Sequence, residues 1–255
     1  MRVPDQVLVG TAGWSIPSAE AASFPGEGPH LARYAARFGA VEINSSFHRP
    51  HRIGTYVRWA QTVPDDFRFS VKLPKAISHV RRLVEVEDLL TAFAAETAGL
   101  AEKLAVVLVQ LPPSLAFDAA IAETFFGALA RHFDMAVACE PRHPSWFADD
   151  ADALLVRHSV ARVAADPVLA PGGASPGGWT GLRYHRLHGA PRIYYSAYDA
   201  ARLGELAGAL MADAGAAQRW CVFDNTASGA ATGNAVTLQS MLADGAGTMS
   251  SRAGP

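Results

Sequence analysis

The sequence predicts an α/β protein, a single (β/α)8 TIM barrel. Three observations carry this: eight short β-branched apolar runs, helical patterns alternating strictly with them, and long connections confined to one end of the predicted strands. Strict alternation demands a parallel sheet, and eight parallel strands in 255 residues fit a closed barrel better than the alternative, an open doubly wound sheet. The predicted strands cover residues 6–13, 40–47, 68–73, 105–111, 135–140, 161–166, 182–188 and 220–225. Helices are predicted over 31–38, 54–62, 88–103, 119–132, 149–158, 199–214 and 230–242, each with Ala, Leu and aromatic residues at helical spacing. The sixth connection, 167–180, is rich in Pro and Gly, so the sixth helix is expected to be missing or degenerate. Helix-to-strand links at 102–104, 132–134 and 158–159 are short, whereas strand-to-helix links at 14–29, 74–87 and 189–198 are long. That asymmetry places the functional face at the C-terminal ends of the strands. One domain over residues 1–242 is expected, then a small, polar, disordered tail at 243–255.

Half of the residues are apolar, enough for a full core, and a formal net charge of −2 provides no whole-protein field to hold a polyanion. Nineteen arginines stand against three lysines, which sets the Lys72/Lys75 pair apart from ordinary surface charge. Cys139 and Cys221 each fall inside a predicted strand, in no metal-binding spacing, and read as core residues of a reduced cytoplasmic protein. There is no run of ~18 uninterrupted apolar residues and no leader pattern at the start of the chain, so no membrane association is expected.

Taken strand by strand, polar side chains gather at the exits. Gly10-Thr11-Ala12-Gly13 on the first strand is too short to cradle a phosphate and precedes no immediate helix. On the second, Glu42 and Asn44 share a face while Val41 and Ile43 point to the helices. Glu42 therefore faces the interior, where a carboxylate needs a partner or a proton. On the third, Lys72 has the opposite parity from Val71 and Leu73, again inward, and is the expected partner of Glu42. His79 lies on the long loop beyond, over the same mouth. The fourth ends at Gln110, a two-way hydrogen bonder, before Pro112 and Pro113 stop it. The fifth runs apolar from Met135 to Cys139, then empties into Glu140, Arg142, His143 and Trp146, more chemistry than a turn requires. The bland alternative is a structural Glu140–Arg142 ion pair with Trp146 covering an edge. The sixth ends at Asp166, a turn former or a site carboxylate. On the seventh, Tyr184, Arg186 and His188 face one way. Arg186 and His188 suit an anion or a proton transfer, or else Arg186 forks onto Glu42 or Glu140. The eighth ends at Asp224 and Asn225, ahead of a helix whose N-terminus could hold an anion.

Six segments in order resemble the successive motifs of the YecE-like proteins, a domain-of-unknown-function family: those beginning at Gly10, Val41, Ser70, Val109, Glu140 and Arg186. The likeness runs from about residue 7 to 235. It implies a TIM barrel and no established activity. It also implies a shared pocket lined by Trp14, Glu42, Asn44, Lys72, His79 and Gln110 from the first half of the chain. The second half would supply Glu140, Arg142, His143, Trp146, Arg186, His188 and Asn225. The chain departs from the pattern at His48, where a tyrosine is frequent, and at Asp224-Asn225, where two asparagines are usual.

The expected function is an enzyme acting on a small anionic or hydroxyl-rich substrate. Lys72, Arg142 and Arg186 would hold negative charge while Glu42, Glu140 and His188 move protons, with Lys72 counted in the catalytic set. No cofactor is expected. One alternative is a metal-dependent phosphodiesterase or isomerase using a divalent ion among Glu42, Glu140, Asp166, His188 and Asp224, although no HxH spacing supports it and three cations oppose a fourth. The other is a non-catalytic module recognising a nucleic-acid end or a protein, which near-neutral charge weakens for nucleic acid. A two-carboxylate glycosidase lacks a measured separation in its favour, and no serine sits in a nucleophile elbow.

Overall fold

The computed structural model describes residues 7–168, 170–212, 215 and 218–252. Helices and parallel strands alternate along it: β1 (Val7–Thr11), α1 (His30–Ala35), β2 (Ala40–Ile43), α2 (Ile53–Thr62), β3 (Arg68–Lys72), α3 (Glu87–Thr97), β4 (Leu104–Gln110), α4 (Ala119–His132) and β5 (Ala136–Glu140). They continue with α5 (Asp149–Arg157), β6 (Val160–Arg162), β7 (Ala164–Asp166), β8 (Gly177–Gly178), β9 (Leu182–Leu187), α6 (Ala200–Ala212), β10 (Gln218–Phe223) and α7 (Ala230–Arg252). Two sheets result, one ordered β1-β10-β9-β7 and the other β2-β3-β4-β5-β6-β8, parallel except for the two-residue pairing of β8 with β6.

Each strand sorts its side chains by parity, as the pleat requires. Val41, Ile43, Val71, Val107, Val109 and Phe223 pack outward with helix residues such as Leu90, Phe125 and Leu238 in one apolar cluster. Leu8, Ala40, Val106, Leu108, Leu182, Tyr184, Trp220 and Val222 face the other way and form a second cluster between the sheets, where Tyr184 and Trp220 stack at 5.8 Å. Cys139 and Cys221 have the outward parity and are fully buried, and burial pushes both thiols up.

The sheets are joined at two seams. At the first, Ala12 bridges Glu42, and the Gly13 amide donates to the Glu42 carbonyl at 2.8 Å. Among the described residues no ladder forms below that bridge. A Cβ on Gly10 would stand 2.4 Å from the Ala40 carbonyl oxygen, so only glycine permits the approach. The Tyr34 hydroxyl of α1 fills the gap, accepting from the Thr11 amide at 2.9 Å and donating to the Ala40 carbonyl at 3.2 Å. At the second seam the segment 160–166 changes sheets. Val163 still donates to Cys139 of β5 at 2.8 Å, and Ala164 then pairs with His185 of β9. The predicted sixth strand is thus split into β6 and β7.

Several expected boundaries move. The second strand stops at Ile43 instead of Phe47, because the Ser46 hydroxyl donates to the Ile43 and Lys72 carbonyls (3.0 and 2.6 Å) and pulls 45–47 into a 3₁₀ turn. The predicted helix over 88–103 is α-helical only to Thr97, whose hydroxyl bonds back to the Phe93 carbonyl at 2.8 Å. A 3₁₀ turn with positive φ at Ala101 follows. The last helix does not end at Leu242. It runs to Arg252, so the tail expected to be disordered is helical over 243–252, with Gly245 allowing close approach to Met211 of α6. Among the described residues of 167–181 there is no helix, only turns and β8. Gln6, residues 213–214 of the helix predicted over 199–214 and the tail residues 253–255 lie outside the described residues. Among the described residues, no helix is long and apolar enough to cross a membrane.

Candidate functional site

The inward-facing polar residues meet at the C-terminal strand ends. Arg186 of β9 is fully buried and is the hub. Its Nε and Nη2 donate to the two oxygens of Glu42 on β2 (2.9 and 2.7 Å), its Nη1 to Glu140 on β5 (2.7 Å) and its Nη2 also to Asp224, just past β10 (3.0 Å). Glu42 also accepts from the Tyr184 hydroxyl at 3.1 Å. Glu140 Oε1 accepts from Arg142 Nε and Nη2 (3.1 and 2.8 Å) and from Gln110 Nε2 (3.1 Å). His188 lies between two carboxylates, with Nε2 2.9 Å from Glu140 and Nδ1 3.1 Å from Asp224. Three carboxylates are therefore shared among two guanidiniums and an imidazole, with the hydrogen bonds that such buried charges require.

The electrostatics follow from that sharing. Burial alone would push Glu140 up, but Arg186, His188 and Arg142 outweigh it and hold the carboxyl well below its ordinary value. Asp224 is likewise lowered against burial by Arg186 and His188. Burial would lower His188, yet the charge of Glu140 and the hydrogen bonds to Asp224 and Glu140 raise it. In the imidazolium both ring nitrogens donate, so the 3.1 Å approach of Arg142 to His188 Nε2 is a like-charge contact across the shared Glu140 oxygen. Stability should depend on pH from both sides. The Glu140 contribution is present above its ordinary value of 4.5 and disappears as pH falls through the lowered value; the His188 contribution is present below 6.5 and disappears as pH rises through the raised value. Thermal melts of wild type against His188→Gln should diverge most between these values and converge on the alkaline side. Parallel melting curves at every pH would mean that His188 is not charged in the folded state.

Lys72 stands outside this sharing. The expected Glu42–Lys72 pair is absent, because Arg186 occupies both Glu42 oxygens; instead Lys72 Nζ lies 4.2 Å from the centre of the Phe47 ring. Lys72 is 5 % exposed, and its ammonium makes no hydrogen bond or ion pair among the described residues. Burial, then the charge of Arg186, lowers its amine to about 8 against the opposing pull of Glu42, Asp224 and Glu140. It reaches a cleft of about 520 Å³ that opens at the same strand ends. Gln110, Arg142 and Asp224 reach the cleft too, and His79, Phe47, Tyr194 and Tyr195 form its walls. His79 is lowered by burial and then by Lys72 and Arg142, which keeps it a neutral imidazole.

The other expected site residues take different places. Glu42, Glu140, Arg186 and His188 are buried in the ion cluster and do not line the cleft. Asn44 lines both the cleft and a neighbouring hollow that contains Trp14, which meets Trp59 edge-on at 5.0 Å. Trp146 belongs to the core. It is 1 % exposed, donates to the Leu115 carbonyl at 3.0 Å and packs on Phe117. His143 caps the 3₁₀ turn 144–147, accepting from the Ser145 amide at 3.2 Å. Asn225 is a clamp, donating to the Ser196 carbonyl and to Asn234, each at 2.9 Å. That clamp holds the loop after β9, which begins at Gly189 (φ +92°) with a backbone approach that a side chain would block, and so positions Tyr194 and Tyr195. Those two tyrosines were not expected; a loop has no periodicity to reveal them. Asp224 could have been placed by parity with Trp220 and Val222. Among the described residues, no three His, Cys, Asp or Glu side chains are arranged to hold a metal ion.

Comparison with known proteins agrees with the motif resemblance. UPF0759 protein YecE of Escherichia coli (strain K12) is 33% identical over 119 residues, 46% of this chain; the match spans 43% of that protein, less than half its length. A DUF72 family protein of Enterococcus faecalis V583 superposes with a TM-score of 0.78 at 20% identity, covering 93% of this chain and 96% of the other. One from Thermotoga maritima MSB8 superposes with a TM-score of 0.75 at 24% identity, covering 93% and 99%. At these identities the superpositions establish a shared α/β fold. The sequence model described as "Protein of unknown function DUF72" matches residues 8–254, and the chain belongs to that family.

Proposed function

We propose that the protein is an enzyme that binds a small, hydroxyl-bearing anion in the cleft at the strand ends and acts on it by acid/base chemistry. In this reading the two sheets, joined at Glu42 and Val163, constitute one closed (β/α)8 barrel whose C-terminal mouth is the site. The observation that carries it is a charge imbalance. Glu42, Glu140 and Asp224 are matched by Arg186, Arg142 and protonated His188, so Lys72 is a fourth positive charge without a partner, and it faces the cleft. Arg142 has committed Nε and Nη2 to Glu140 and keeps Nη1 available, while Gln110, oriented by donating Nε2 to Glu140, keeps its carbonyl oxygen for a substrate hydroxyl. His79, neutral beside Lys72 and Arg142, is the proton acceptor best placed by its position on the cleft wall. Glu42, Glu140, Arg186 and His188 act beneath as the support that fixes these groups.

Calorimetric titration with phosphate, sulfate and sugar phosphates tests the reading. We expect binding that weakens with salt and is insensitive to chelator. Arg142→Gln should lower affinity about ten- to a hundredfold, the effect of one charge-assisted hydrogen bond. No binding by any of these anions, or binding abolished by chelator, overturns it.

A further inference from the structure

Lysines are scarce in this chain, and the three of them differ in what they do. Lys75 is exposed. Lys103 is tied down, its ammonium donating to the Ala60 and Val63 carbonyls (2.7 and 2.8 Å) and lying 3.5 Å from Asp65. Lys72 alone projects from a strand end into the cleft, with Nζ against the Phe47 ring and no protein acceptor among the described residues. A buried ammonium ordinarily needs an acceptor, and here the nearby carboxylates of Glu42, Glu140 and Asp224 are already held by Arg186, Arg142 and His188. The Phe47 contact returns less than a full ion pair would. A desolvated lysine next to another cation is the arrangement that frees an amine to act as a nucleophile.

We propose that Lys72 Nζ forms an imine with the carbonyl carbon of a small anionic aldehyde or ketone, an oxo acid or a phosphorylated carbonyl compound, held in this cleft. The proposal rests on the anion-binding reading above and names its substrate class. The Nζ lone pair attacks the carbonyl carbon, forming the C–N bond and a carbinolamine. The C–O bond then breaks, and the oxygen leaves as water with the two hydrogens that Nζ gives up, so no further reactant is consumed. His79, neutral on the same wall, can relay those protons, and the cation of Arg142 holds the anionic end. The groups facing Nζ fix its titration. Arg186 opposes the ammonium and Glu42, Asp224 and Glu140 favour it, which with burial leaves the free amine at about half occupancy near pH 8.

The test is reductive trapping on the full chain. The protein is incubated with pyruvate or with dihydroxyacetone phosphate and sodium cyanoborohydride, then mapped by peptide mass spectrometry, with phosphate binding measured in parallel by calorimetry. We expect one adduct per chain, on Lys72 and not on Lys75 or Lys103, forming faster as pH rises through about 8. Lys72→Arg should abolish the adduct, because a guanidinium offers no free amine to the carbonyl carbon. Lys75→Arg should leave the adduct unchanged. Should Lys72→Arg fail to fold, the wild-type map decides alone. Phosphate binding without any Lys72 adduct, or equal labelling of all three lysines, overturns the imine and leaves the anion site standing. Absence of both adduct and phosphate binding overturns the two together.

Discussion

Replacing Arg186 by Met should destabilise the protein more than any other single change, by at least about 3–5 kcal/mol. Glu42, Glu140 and Asp224 would be left facing one another with no guanidinium between them, and two of these three carboxylates are 0 % exposed. Against a total stability of about 5–15 kcal/mol for a domain of this kind, that loss removes a large share of the margin at neutral pH. Arg186→Lys should recover only part of it, because an ammonium cannot reproduce a fork whose Nε, Nη1 and Nη2 each meet a carboxylate. Urea denaturation followed by tryptophan fluorescence measures both. A Met variant within about 1 kcal/mol of wild type would mean that water or shared protons hold the three carboxylates apart, and that Arg186 is not the hub.

Glu140→Ala should be the second largest effect and should separate support from catalysis. The Glu140 oxygens accept from Arg186, Arg142, Gln110 and His188, so its removal strands several donors at once. The expected loss is about 3 kcal/mol, below that of Arg186→Met, because Arg186 keeps Glu42 and Asp224 and His188 can give up its proton. Anion affinity should fall as well, because Arg142 and Gln110 lose the carboxylate that orients them at the cleft. A variant that melts like wild type would place Glu140 in contact with water and return it to the proton-transfer role that the sequence suggests.

Much of this cluster was legible beforehand. Parity assigned Glu42, Lys72, Arg186 and His188 to the interior, and strand exits assigned Gln110 and Glu140 to its upper end. Pairing was not legible. Lys72 was expected on Glu42, and the alternative in which Arg186 forks onto Glu42 or Glu140 turned out to be fulfilled on both. His143 and Trp146 stand in the same motif as Glu140, yet the 3₁₀ turn at 144–147 directs the indole into the core against Phe117 and Phe126. A turn of that kind reverses direction within two residues, and no periodicity in the sequence announces it.

The order of most α and β units, the inward face of the strands and the end at which charged side chains gather were determined by the sequence alone. These depend on local stereochemistry: the pleat alternates every residue, and helical spacing repeats within one turn. Tertiary structure decided which charges meet, which lysine is left without an acceptor, and that two loop tyrosines wall the cleft. Those outcomes depend on distances between residues far apart in the chain, 144 positions for Arg186 and Glu42. They are settled only when the register of neighbouring strands brings one guanidinium within 3 Å of three carboxylates and leaves the Lys72 ammonium facing the cleft without an acceptor among the described residues.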